Sequence, residues 1–299
     1  MAILLKKETR ALVQGITGRE GSARAVFMRG VGTNVVAGVT PGRGGDEVSG
    51  IPVYNTVEEA TRARGPFDVS VTFVPGTALK EAVFEALDAG IRWLVMPVER
   101  VPLYDILEIV AYGKQKDAML LGPGTIGIHS PGIGTLGWLG GSVENARNRF
   151  VPGHVGVISR SGGQSGTLPW TIKVAGMGVS TVIHVGTEPV TGMSTDEILP
   201  YFQEDDETHA VVMFGEIGGT QEEEAADIVK AGKFTKPLVV YVAGAWAPAG
   251  MRFSHASSIV ERGKGSAKDK IAYLREAGIH VVDRPDELAT TVKRLLKNS

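Results

Sequence analysis

Short apolar runs alternate with longer amphipathic segments along most of this 299-residue chain. The run Ala11–Gln14 predicts a buried first strand, followed by the glycine-spaced turn Gly15–Gly21 and a helical pattern over Ser22–Arg29. Val35–Val39 predicts a second strand, which ends in the loop Thr40–Gly45. The alternation continues with helix Val57–Arg64, strand Val69–Val74, helix Ala78–Ala89, strand Trp93–Met96, helix Tyr104–Tyr112 and strand Met119–Leu121. Strands separated by helices in this way build βαβ units, so the expectation is an α/β fold with a parallel, doubly wound sheet. Ligands that carry phosphate bind such sheets at the carboxyl ends of the strands.

Between Ser130 and His154 the pattern dissolves, first into glycine and then into a polar piece, Ser142–Arg149. This stretch reads as a connection, because a second alternating series follows it. Its strands are expected at Val155–Ser159, Ser180–Val185, Ala210–Phe214, Pro237–Val242 and Gly278–Val282. Its helices are expected at Ser165–Ala175, Thr195–Gln203, Gln221–Ala231, Ser266–Ala277 and Pro285–Leu296. The chain thus divides into a domain over 1–130, a hinge over 131–154 and a second α/β domain over 155–299. The run Gln221–Glu224 reads as an acidic helix start, favourable at the positive end of the helix dipole.

Composition narrows the functions. A hydrophobic content of 43% with 21% charged residues is a soluble globular balance. The formal net charge of -2 gives no long-range attraction to nucleic acid. The absence of cysteine removes disulfides, thiolate metal sites and cysteine nucleophiles. No apolar run is long enough to span a membrane, and Met1–Arg10 has no apolar signal core, so a cytoplasmic location is expected.

The candidate chemistry lies in the loops. Gly15-x-x-Gly18-x-x-Gly21 sits between strand and helix, where glycines let helix N–H groups approach a phosphate. The same glycines also permit tight strand–helix packing. Pro41-Gly42-Arg43-Gly44-Gly45 adds a cation to the cradle, unless Arg43 is an ordinary solvated charge. Ser159-Arg160-Ser161-Gly162-Gly163-Gln164-Ser165 repeats the arrangement in the second series, with more hydroxyls than a plain N-cap needs. Glu216 follows a strand within Gly215–Gly219, placed either to hold an imidazole by its N–H or to face solvent. His255 lies in the small-residue loop Phe253–Ile259, after a Gly/Pro-rich turn. The other histidines, 129, 154, 184, 209 and 280, show no metal spacing, and a structural role is expected for each. An anion site, a carboxylate and a histidine at strand ends of one domain suit phosphoryl transfer through a phosphohistidine.

From about Leu4 to its end the chain resembles the α subunit of succinyl-CoA synthetase and the related ADP-forming acid–CoA ligases. The resemblance rests on Val13–Gly18, Gly38–Gly45, Ile158–Gly162, Gly215–Gly219, Tyr241–Gly244 and His255-Ala256, in that order. It implies a CoA-binding Rossmann-like domain followed by a flavodoxin-like ligase domain. His255 would be phosphorylated in turn by ATP and by an acyl phosphate, with Glu216 orienting it. Ser159, Arg160, Ser161 and Gly162 would start the helix that holds the phosphate. Thr17, Gly18, Arg19 and Glu20 would line the coenzyme A site together with Arg43 and Pro97-Val98-Glu99. ATP and Mg2+ would bind mainly on a separate β-type ATP-grasp subunit, making a hetero-oligomer.

Several positions depart from the family pattern. Arg43 replaces a lysine, Gly124-Thr125 replaces Asn-Cys, and Thr187-Glu188-Pro189 replaces Gly-Asp-Pro. Gly166 stands where the family has a tyrosine beside the acid substrate, and Ser254 and Ser257 replace glycines that flank the histidine. The connection carries Trp138. Loss of the tyrosine ring makes room for a larger or more polar acid, so the expected substrate is a di- or tricarboxylate: succinate, citrate or malate. The alternative is a non-catalytic CoA-binding or regulatory relative, which would need neither Glu216 nor His255. A nicotinamide-linked oxidoreductase fits less well, because Thr40-Pro41 occupies the place of an acidic ribose-binding residue.

Overall fold

A computed structural model describes residues 3–244 and 266–297. His255 lies outside the described residues.

The first sheet contains β1 (Arg10–Gln14), β2 (Asn34–Val39), β3 (Glu47–Val48), β4 (Ile51–Tyr54), β5 (Val69–Thr72), β6 (Trp93–Val95) and β7 (Met119–Leu121). Helices α1 (Arg19–Val31), α2 (Val57–Arg64), α3 (Leu79–Asp88) and α4 (Leu103–Gln115) belong to this half. The strand order is β3-β4-β2-β1-β5-β6-β7, with only β3 antiparallel. From β1 the chain winds outward through β2 to β4, then returns to β5 on the other side of β1. That reversal opens a crevice at the carboxyl ends of β1 and β5.

The second sheet contains β8 (Gly127–Ser130), β9 (Gly134–Gly137), β10 (Pro152–Ser159), β11 (Val179–His184), β12 (Ala210–Glu216), β13 (Leu238–Ala243) and β14 (His280–Val282). With it go α5 (Val143–Arg149), α6 (Gly162–Val174), α7 (Thr195–Glu204), α8 (Gln221–Lys230), α9 (Ala267–Glu276) and α10 (Glu287–Lys297). Its order is β14-β13-β12-β10-β11-β8-β9. The five strands from β14 to β11 are parallel, and the β8–β9 hairpin is added antiparallel to β11. The second reversal falls between β10 and β12.

The α/β fold with two successive parallel sheets is as the patterning predicts. The second sheet reaches back further than expected, since its hairpin begins at Gly127, ahead of residue 130. The stretch 131–154 expected as a hinge carries β9, α5 and the start of β10. Burial explains why the strands hold: Val155 to Ser159 in β10 and all of β11 and β12 are buried. A strand covered on both faces by helices reads as a continuous apolar run rather than an alternation.

Candidate active site

The crevice of the first sheet opens into a cleft of about 740 Å³, lined among others by Gln14, Thr17, Gly18, Pro41, Asn55 and Glu85. A second cleft of about 470 Å³ shares Gly18, Phe73, Val74 and Pro75 with it and continues past Arg19, Glu20, Pro97, Val98 and Glu99. Seven of the eight residues expected around coenzyme A therefore line one connected groove. Gly15 has φ +76°, and a Cβ on Gly21 would stand 2.1 Å from the Gly15 carbonyl oxygen. Side chains at neither position would let α1 start so close to the end of β1. The unpaired N–H groups of the first turn of α1 thus open onto the groove, a cradle that fits the diphosphate of coenzyme A.

Arg43 is the exception. Its Nε donates to Asp46 Oδ2 at 2.5 Å, the side chain is more than half exposed, and it lines neither cleft. The neighbouring Gly42 does. An arginine next to an aspartate three residues on in a tight loop satisfies its charge locally.

In the second half, β10 and β12 end side by side, Ser159 in register with Phe214. Residues 160 and 216 are consequently neighbours across the switch point, and Arg160 Nε donates to Glu216 Oε1 at 3.2 Å. Both side chains are largely buried, at 9% and 10% exposure, where a charge pair is weakly screened. Ser161 is the N-cap of α6, its Oγ accepting from the Gln164 N–H at 3.4 Å. Ser159 Oγ accepts from the Ser161 N–H at 3.0 Å and donates to the Ser161 carbonyl at 2.9 Å. Helix α6 begins at Gly162, earlier than the expected Ser165, so Gly162 and Gly163 belong to its first turn, whose free N–H groups could receive an anion. The structure thus brings together Ser159, Arg160, Ser161, Gly162 and Glu216.

Three further buried residues hold this arrangement; His184 was expected to be structural, while the roles of Glu222 and Lys270 were not foreseen. His184 accepts from the Ile126 N–H on Nδ1 at 2.8 Å, which leaves its ring proton on Nε2, 3.1 Å from the Arg160 carbonyl. The histidine therefore fixes the loop that carries Arg160. Glu222, expected as part of an acidic helix start, is 1% exposed. Its Oε1 accepts from the Glu216 N–H at 3.0 Å, and its Oε2 lies 2.7 Å from Lys270 Nζ. Lys270 also reaches Glu223 Oε2 at 2.6 Å and the Gly219 carbonyl at 3.1 Å. No sequence pattern joins Lys270 to residues 48 positions earlier.

Residues 6–99 match the family model for a CoA binding domain, and residues 152–295 match that for a succinyl-CoA ligase like flavodoxin domain. The chain is 44% identical over 297 residues to succinate--CoA ligase [ADP-forming] subunit alpha 1 of Archaeoglobus fulgidus, covering 99% of each. It is 43% identical over 296 residues to the ADP-forming sulfoacetate-CoA ligase subunit SauD of Bilophila wadsworthia, covering 99% of this chain and 100% of that subunit. Among solved structures, the ATP citrate lyase of Methanothrix soehngenii in complex with citrate and coenzyme A superposes with a TM-score of 0.89 at 25% identity. That match covers 99% of this chain and 51% of the lyase chain, so this chain spans about half of the lyase's length. Both domain models in the right order, and full-length identities above 40%, place the chain in one family: it is an alpha-type subunit of the ADP-forming acid–CoA ligases.

Proposed function

We propose that this chain is the phosphohistidine-bearing subunit of an ADP-forming ligase that joins coenzyme A to a di- or tricarboxylate, with succinate, citrate and malate as the acids to test first. His255 takes the γ-phosphoryl group of ATP: an N–P bond forms and the bond to ADP breaks. A carboxylate oxygen of the acid then attacks phosphorus, the N–P bond breaks and an acyl phosphate results. The sulfur of coenzyme A, having lost its proton, attacks the acyl carbon, and inorganic phosphate leaves. Dividing the reaction in this way replaces one difficult step by easier ones. ATP and Mg2+ bind mainly on a β-type ATP-grasp partner.

The observation that carries this reading is the Arg160–Glu216 pair at the start of α6. A carboxylate there accepts an imidazole N–H and keeps the other ring nitrogen unprotonated for attack. The arginine and the first turn of α6 offset the charge of the phosphoryl group as it moves. Thr17, Gly18, Arg19, Glu20, Pro97, Val98 and Glu99 hold coenzyme A in the groove they line.

The acid is the open variable, since the similar chains include succinate and sulfoacetate ligase subunits and a citrate-bound lyase. Gly166 supports a bulky acid: among the described residues only Arg149 Nη1, at 3.8 Å, comes within 4 Å of a Cβ placed there. With the partner subunit present, radioactive ATP should label the wild-type chain and leave His255→Ala unlabelled. Equal labelling of the two sinks the assignment. A panel of succinate, malate, citrate and sulfoacetate in a CoA-dependent phosphate-release assay then identifies the acid.

A further inference from the structure

Trp138 lies outside both matched domain models, which cover residues 6–99 and 152–295. It follows β9, and its backbone N–H donates to the Ile126 carbonyl at 2.9 Å, which ties it to the base of the β8–β9 hairpin. Its half-buried side chain nevertheless lines the 470 Å³ cleft, whose other walls come from the first half of the chain. The Arg24 guanidinium sits 4.7 Å from the centroid of the indole ring. Arg24 is held in turn by Glu20 at 3.0 Å, one of the residues facing the same cleft. A guanidinium fixed over one side of an indole holds the ring in place and leaves a rigid aromatic wall.

The opposite wall is bonded to the loops that lead into β8 and out of β11. The Val98 carbonyl accepts from the Gly124 N–H at 2.8 Å, and the Arg100 N–H donates to Glu188 Oε1 at 2.6 Å. The cleft is therefore a passage from the glycine turn at α1 toward the sheet that carries Arg160 and Glu216. A long ligand anchored by its diphosphate at α1 has one arm that must cross this passage to reach that site.

We infer that Trp138, backed by Arg24, is a binding residue for the pantetheine arm of coenzyme A, guiding the thiol from the nucleotide groove toward α6. The arm is a chain of amides and methyl groups, which packs on an indole face without needing a charge. This rests on the reading of the groove as a coenzyme A site. The nucleotide end lies in the larger cleft, which Trp138 does not line.

Intrinsic fluorescence and calorimetry on the full chain test it, with coenzyme A and adenosine 3′,5′-bisphosphate, which lacks the arm, as the two probes. Coenzyme A should change the tryptophan emission of the wild-type chain and should not change it in Trp138→Phe. Trp138→Ala should weaken coenzyme A binding about tenfold and leave the bisphosphate unaffected. Trp138→Phe, which keeps an aromatic wall, should bind coenzyme A nearly as well as wild type and controls for misfolding. Equal affinity of Trp138→Ala and wild type for coenzyme A overturns the inference, as does an equal loss for both probes. If neither probe binds the wild-type chain, the coenzyme A reading itself fails and the inference with it.

Discussion

Lys270 and Glu222 form a fully buried ion pair, Nζ to Oε2 at 2.7 Å, one hydrogen bond away from the backbone of Glu216. The pair joins α9 to α8 and pins the end of β12. Removing one member of such a pair leaves an uncompensated buried charge, at a cost of about 3–5 kcal/mol. Lys270→Met should therefore destabilise the chain by about that much in urea unfolding. Adding Glu222→Gln should recover most of it, because the amide oxygen still accepts from the Glu216 N–H. A Lys270→Met chain as stable as wild type contradicts this role.

The same pair gives a pH dependence. Burial works against the Lys270 charge, but Glu222 and Glu223 outweigh it and hold the ammonium above its ordinary pKa of 10.5. Since the folded value is the higher one, the stabilisation is complete below 10.5 and is lost as the pH climbs through the folded value. Unfolding measured from pH 9 upward (the window follows from that value) should show the loss in wild type and not in the Lys270→Met/Glu222→Gln chain.

His129 should impose the opposite slope in acid. It is 2% exposed on β8, packs on Phe150 with ring centroids 4.4 Å apart, and its Nδ1 has no hydrogen-bond partner among the described residues. Burial pushes its pKa from 6.5 down to about 3. The unfolded chain therefore takes up a proton below 6.5 that the folded chain refuses, and stability falls on acidification by about 1.4 kcal/mol per pH unit. The drop begins near pH 6.5 and levels off near 3. Denaturant melts of wild type and His129→Leu across that range should differ in slope by this amount; parallel curves would show that His129 does not titrate as its burial requires.

The sequence made the alternating elements legible wherever apolar runs were uninterrupted. Helix α2 and strand β7 fall on the predicted residues, because Val57–Arg64 and Met119–Leu121 carry clear patterns. The β8–β9 hairpin was missed because Gly134-Thr135-Leu136-Gly137 has glycine at both ends and one large apolar side chain, too little to read as a strand. Strands β3 and β4 are short and interrupted by Pro52. At the site, Arg160 and Glu216 were legible because each stands where a strand runs into a glycine-containing loop, although nothing in the sequence joins them directly. Their supports were less legible: a structural role was expected for His184 but not its partners, and His184 and Lys270 act through contacts 24 to 58 residues apart, while Glu222 caps the Glu216 N–H from six residues on, a contact that no local pattern marks.

The coenzyme A groove depends on the contact of Gly21 with Gly15. A Cβ 2.1 Å from a backbone oxygen cannot be absorbed by side-chain movement, so α1 has to shift. Gly21→Ala should cost about 1–3 kcal/mol in thermal or chemical unfolding. It should also weaken coenzyme A binding at least tenfold in calorimetry, because the first-turn N–H groups move off the diphosphate. Wild-type affinity in this variant would mean that the diphosphate is held elsewhere.

Gly166 separates stability from function. It lies within α6, where glycine costs about 0.5–1 kcal/mol relative to alanine. Its φ is not positive, and among the described residues the only atom near an added Cβ is Arg149 Nη1 at an ordinary 3.8 Å. Among those residues no packing or backbone constraint demands glycine there, so Gly166→Ala should raise stability by about 0.5–1 kcal/mol. Gly166→Tyr fills the space one turn beyond the start of α6, on the side where the proposed function brings the acid. It should fold as well as wild type and lower kcat/KM for citrate more than for succinate, by about tenfold or more in relative terms. The acid panel run on both chains checks this. If the preference between the two acids is unchanged while the variant stays folded, the room at Gly166 has no part in selecting the acid, and selection lies with other groups at the site.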